Sequence, residues 1–109
     1  MAGPVKRGEV YLIGLGPTVG TEIHKTRRCV VVSPDELNDH LRSFIVAPLT
    51  TGSHAYPFRV PCRFQGKQGH VVLDQIRTVD GDRFVRRLGR LPPAALEKSL
   101  AILQAMFAP

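Results

Sequence analysis

Apolar and polar positions alternate or cluster in short runs along most of this chain, then change period near its end. Residues 8–15, Gly-Glu-Val-Tyr-Leu-Ile-Gly-Leu, read as a β-rich run behind a short basic arm at 1–6. Residues 16–27 form a long Gly-, Pro- and charge-containing loop, a kind of segment that often carries function. A buried strand follows at 28–33, and Pro34–Asn38 reads as a helical turn with Ser33 as its N-cap and Pro34 at N1. Residues 43–50 form a strand in which Pro48 predicts an edge or a bulge. Residues 52–54 read as a turn, 57–62 as an alternating strand, and Gln65–Gly69 as a hairpin loop. A long strand over 70–79 is broken by Asp80-Gly81-Asp82 and followed by a basic strand at 84–91. After Pro92-Pro93, Leu96, Leu100, Leu103 and Phe107 recur at helical spacing and predict one buried face of a helix over 93–107.

Five to seven short strands with tight turns and one terminal helix predict a mainly β fold: a small antiparallel barrel or sandwich. The helix must cover the open end of a barrel or meet a partner. No repeat or linker interrupts residues 1–109, which read as a single domain. That length suffices for a core without metal or disulfide staples.

Composition narrows the class. No apolar stretch approaches the roughly 20 residues of a membrane-spanning helix. The N-terminus is too short and polar for a signal peptide, so the expected location is cytoplasmic, with no membrane association. Fifteen basic residues against nine acidic give a net charge of +6, and eleven of the fifteen are arginine, which suits phosphate or an acidic partner. Cys29 and Cys62 stand alone in apolar surroundings and read as reduced, buried residues. No zinc spacing, phosphate-binding loop or hydrolase motif occurs, and sparse carboxylates argue against a glycosidase or a magnesium-dependent nuclease. The histidines, His24, His40, His54 and His70, read as surface or loop residues, with an acid/base pair on RNA as the alternative. A basic knot at 24–28 and the pair Thr50-Thr51 complete the candidate chemistry.

Six segments then fall into one ordered pattern: Lys6–Tyr11, Gly16–Glu22, Arg27 with Cys29–Ser33, Val46–Thr51, Tyr56–Val60 and Asp74–Asp80. In order and spacing this pattern resembles the MazF/PemK family of toxin endoribonucleases, over residues 6 to about 91, with the helix at 93–107 also in place. The resemblance implies a PemK/CcdB-like barrel similar to an SH3 barrel. It implies a homodimer that cleaves single-stranded RNA without a metal or other cofactor, inhibited by an antitoxin with an acidic C-terminal segment. It places the catalytic roles on Arg27 and Thr50, and puts Glu22 near the active site and Gln75 and Arg77 beside the groove; His24, Lys25, Arg28, Thr51 and Tyr56, read from the basic knot, the strand end and the following loop, are expected to add RNA contacts. Arg28 stands where the family usually has proline, and strand alternation allows only one of Arg27 and Arg28 on a given face; register favours Arg27 in the groove. Loops 16–26 and 51–57 would set base specificity, with Tyr56 and Phe58 offering a stacking surface, although alternation favours Phe58 in the core.

The chemistry implied is attack by the RNA's own 2′-hydroxyl, giving a 2′,3′-cyclic phosphate and a 5′-hydroxyl. Arg27 would stabilise the phosphorane, Thr50 would donate to a phosphate oxygen, and Glu22 or a histidine such as His24 would take the proton. Two other readings stay open: a CcdB-like gyrase poison, disfavoured by the absence of tryptophan, and a non-catalytic homologue that binds antitoxin.

Overall fold

The computed structural model describes residues 3–16, 26–52 and 55–109. Among the described residues, seven strands and two α-helices run in the order β1 (Glu9–Gly14), β2 (Thr26–Val31), α1 (Asp35–Asn38), β3 (Ser43–Thr51), β4 (Arg59–Phe64), β5 (Lys67–Val72), β6 (Arg77–Asp80), β7 (Phe84–Arg90) and α2 (Pro93–Phe107). The strands pair antiparallel in the order β4-β5-β3-β2-β1-β7, with β6 also on β3. The mainly β architecture with a C-terminal helix is as the apolar pattern predicts. The sheet is not a closed ring, because β4 and β7 do not pair. Their ends approach through side chains: Gln65 Nε2 donates to the Leu88 carbonyl at 3.3 Å.

The continuous apolar runs of β1, β2 and β3 have a simple cause, since these strands are buried on both faces. One face, called here the helix face, holds Val10, Val30, Ala47, Leu49, Val60 and Val71, with α2 packed on it. The far face holds Tyr11, Ile13, Cys29, Val31, Val46 and Phe84. There the Phe84 ring lies 4.9 Å from Tyr11 and 5.1 Å from Phe44, centroid to centroid. Val5 is buried in the same cluster, so the N-terminal arm is anchored rather than loose.

Several local expectations are corrected. Pro34, not Ser33, occupies the N-cap of α1, and it has no side-chain cap bond. The Ser33 hydroxyl is instead buried, donating to Asn38 Oδ1 at 2.6 Å and accepting from the Ile45 amide at 3.1 Å. Pro48 lies in an interior strand, opposite Cys29. It is tolerated where β3 changes partner on its other edge, between Ser43–Val46 on β6 and Leu49–Thr51 on β5. The hairpin loop shortens to Gln65-Gly66, both at positive φ (51° and 77°), the geometry of a tight two-residue turn that follows the sheet's twist. The strand expected over 70–79 is broken by a 3-10 turn at Leu73–Gln75. On α2 the deepest residues are Ala95 and Ser99, flanked by Leu96, Leu100 and Leu103, whereas Phe107 is 71% exposed. Phe58 is not core: it lies outside β4 at φ 65° and is 43% exposed. It is the third residue of a turn closed by the Arg59 amide on the Tyr56 carbonyl at 3.2 Å, with Pro57 fixing the second.

Glu9 ties the arm, β1 and β7 together. Its carboxylate accepts from the Lys6 amide (2.7 Å), the Tyr11 hydroxyl (3.2 Å) and Arg87 Nε (2.6 Å). Burial alone pushes this carboxyl up, but the three donors together hold it below the usual value. Burial and the neighbouring carboxylate push the Tyr11 phenol up to about 12. Replacing Glu9 by alanine leaves a buried hydroxyl and an amide without their acceptor and is expected to cost about 2–3 kcal/mol in urea unfolding. Because Glu9 titrates lower folded than unfolded, its stabilisation is complete above the ordinary carboxylate range. It is lost as pH falls through the folded value. The variant's unfolding midpoint should therefore depend less on pH in that acid window than the wild type's.

Candidate active site

β2 and β3 pair only as far as Cys29 opposite Pro48. Beyond that pair, at the rim of the sheet, lies a cleft of about 340 Å³ lined by Leu12, Thr26, Arg27, Arg28, Leu49, Thr50 and Thr51. Four of the residues singled out from the sequence, Arg27, Arg28, Thr50 and Thr51, thus meet in one place. Two run into β2 and two end β3.

Alternation assigns their faces. Counting two residues from Cys29 and two from Pro48 puts Arg27 and Thr50 on the far face, across the cleft from each other. Arg28 and Thr51 take the helix face with Leu12 and Leu49. Electrostatics agrees with this division. Burial pushes the Cys29 thiol up to about 12, opposed by the positive charges of Arg27 and Arg77. Burial likewise raises the Cys62 thiol on the helix face, where the opposing charge is Arg28. Both thiols are free and buried, as their apolar surroundings predict.

Arg77 joins the far-face group: it is exposed, opens β6 and lies opposite Val46 on β3. Gln75 is exposed on the 3-10 turn just before it. Tyr56 lies in a separate cleft of about 490 Å³ with Pro57, Phe58, Arg59 and Asp74. There the Arg59 guanidinium sits 4.9 Å from the Tyr56 ring centroid and donates to both Asp74 oxygens at 3.1 and 3.2 Å. Glu22, His24 and Lys25 lie outside the described residues. Among the described residues no group of three or more His, Cys, Asp or Glu is placed to hold a metal ion.

Sequence reasoning did not single out two residues that the register brings in. His70 on β5 stands directly opposite Thr50. Arg86 on β7 stands opposite Leu12, the residue that also faces Arg28. Neither had a local signal: His70 was one of four scattered histidines, and Arg86 one of several arginines in a basic strand. Only strand pairing distinguishes them.

Comparison with known proteins fits this arrangement. A family model described as a PemK-like, MazF-like toxin of type II toxin–antitoxin systems matches residues 6–107. The chain is 33% identical over 109 residues to the endoribonuclease PemK of Escherichia coli, covering 94% of this chain and 82% of that protein. It is 29% identical over 110 residues to the endoribonuclease EndoA of Bacillus subtilis, covering 95% of each. A solved endoribonuclease from a mycobacterial species, in complex with its cognate antitoxin, superposes with a TM-score of 0.79 at 27% identity, over 96% of this chain and 97% of the other. No helix among the described residues is long and apolar enough to cross a membrane. With a family model that spans nearly its whole length, the chain belongs to the PemK-like, MazF-like toxins of type II toxin–antitoxin systems.

Proposed function

We propose that this endoribonuclease toxin cleaves single-stranded RNA at short specific sequences, without a metal, using Arg27 and Thr50. The observation that carries the reading is their meeting across one cleft, at the point where β2 and β3 cease to pair.

RNA supplies its own nucleophile, so no water has to be activated. The 2′-oxygen bonds to the adjacent phosphorus as its proton leaves. The bond to the 5′-oxygen breaks, and that oxygen collects a proton. The products are a 2′,3′-cyclic phosphate and a 5′-hydroxyl. Negative charge builds on the phosphorane between these events. Arg27 suits that charge, because a guanidinium stays protonated and presents a rigid fork of donors. The Thr50 hydroxyl donates to a non-bridging oxygen. Glu22 or a histidine takes the 2′-proton; His70, opposite Thr50, is the described imidazole at this row. Arg77 and Gln75 extend the contact along the far face, and Tyr56 offers a ring for a splayed base.

The same basic surface suits the acidic C-terminal segment of a cognate antitoxin, which would inhibit by covering the cleft. The working unit in this reading is a cytoplasmic homodimer of single-domain chains.

The chemistry is tested with an RNA carrying 2′-deoxy sugar only at the cleaved nucleotide. Cleavage at that site should stop while other sites are still cut; a persisting cut there would contradict 2′-hydroxyl attack. Thr50→Val should lower the single-turnover rate by roughly 10²-fold, more than it lowers RNA affinity. Equal losses in both would make Thr50 a binding residue only.

A further inference from the structure

We infer that Arg28 and Arg86 form a second phosphate-binding subsite for the RNA, on the helix face of the same rim. The inference rests on the reading of the cleft as an RNA-cleaving site.

Leu12 on β1 stands between the two arginines. It pairs with Arg28 on β2 and with Arg86 on β7, so both arginines leave the sheet on the face that carries Leu12. Neighbouring strands lie roughly 4.8 Å apart, which sets the two arginine backbones about 10 Å apart across Leu12. Arg86 is exposed and Arg28 is half-buried at the cleft itself.

Several arginines near this rim are already committed to protein acceptors. Arg7 donates to the Val32 carbonyl, Arg83 to the Gly14 and Gly16 carbonyls, and Arg87 to Glu9. Arg28 and Arg86 on the helix face are not, as Arg27 and Arg77 on the far face are not. Among the described residues neither Arg28 nor Arg86 makes a hydrogen bond or an ion pair with its side chain. Two like charges left facing one apolar side chain repel each other, and the arrangement favours a shared anion.

Arg27 and Thr50 hold the reacting phosphate on the far face. An RNA strand that continues over the rim meets Arg28, then Arg86. These residues therefore read a phosphate next to the reacting one, and their contribution is affinity and register rather than bond cleavage. Arg28, in the place of the usual proline, then extends the binding track beyond the reacting phosphate.

The test is the salt dependence of binding to a non-cleavable single-stranded RNA, 2′-deoxy at the cleaved nucleotide, measured from low to moderate KCl. Variants Arg28→Gln, Arg86→Gln and the double variant are compared with wild type, with Arg86→Lys as the charge-conserving control. Each lost phosphate contact should flatten the log–log slope by about 0.7, and the double variant by about 1.4. Arg86→Lys should keep the wild-type slope. Variants that fold normally and keep the wild-type slope would overturn the subsite. So would flattened binding only to an acidic peptide, which would assign the pair to a protein partner. If wild type itself neither binds nor cleaves RNA, the underlying endoribonuclease reading fails, a result distinct from failure of the subsite alone.

Discussion

Replacing Arg27 by alanine should abolish RNA cleavage and leave the protein folded. The side chain is exposed at the start of β2, and among the described residues its guanidinium makes no hydrogen bond or ion pair. Surface substitutions away from caps, cores and networks usually stay within about 0.5 kcal/mol, so unfolding curves of variant and wild type should nearly coincide. The rate behaves otherwise. Arg27 lines the cleft on its far face, opposite Thr50, and in the proposed reaction its charge faces the phosphorane. Loss of one aimed donor in a preorganised site costs on the order of 10²–10³ in rate, and here a full positive charge is lost with it. Single-turnover cleavage read beside thermal unfolding separates the two effects. A folded Arg27→Ala protein with near wild-type rate would remove Arg27 from the chemistry. Arg28→Ala should be much milder, because alternation turns it to the opposite face.

The second large effect is expected from a residue with no side chain at all. Gly69 lies on β5 opposite Thr51 of β3 and Cys62 of β4, and it is buried. A Cβ built there would fall inside the van der Waals envelope of the Thr50 carbonyl oxygen and 3.1 Å from the Thr51 Cα. The clash is with backbone, which cannot swing aside as a flexible side chain can. Gly69→Ala should therefore force β3 and β5 apart at the end that carries Thr50. Overpacking of this kind costs about 1–3 kcal/mol and more where nothing can yield, enough to lower Tm by roughly 10 °C. The folded fraction should also lose activity, since the Thr50 hydroxyl moves with its backbone. A Gly69→Ala protein with wild-type Tm and rate would mean that the β3 end is not held against β5 as described.

These two residues also mark how far the sequence could be read. Arg27 was legible, because its place before an apolar strand and within an ordered set of segments singled it out. Thr50 was legible for the same reason. The strands and α2 were visible in their periods, since burial on both faces leaves continuous apolar runs and a terminal helix leaves a different spacing. What stayed hidden depended on non-local pairing. Pro48 suggested an edge because a missing N–H is costly within a ladder, and nothing local revealed that β3 changes partner there. Phe58 looked like core from alternation, but Pro57 starts a turn that carries it out at positive φ. Phe107 fitted the helical period, yet the burial that decides the face centres on Ala95 and Ser99. His70, Arg86 and the close approach at Gly69 follow only from the register of β5 and β7, which no run of neighbouring residues encodes.

The most direct measurement is cleavage of a long unstructured RNA by the wild-type protein in excess EDTA, with the ends of each product identified. Discrete cuts bearing 2′,3′-cyclic phosphate and 5′-hydroxyl ends are the expected result. Intact RNA in the presence of well-folded protein, or cuts that appear only when a divalent metal is restored, would contradict the account.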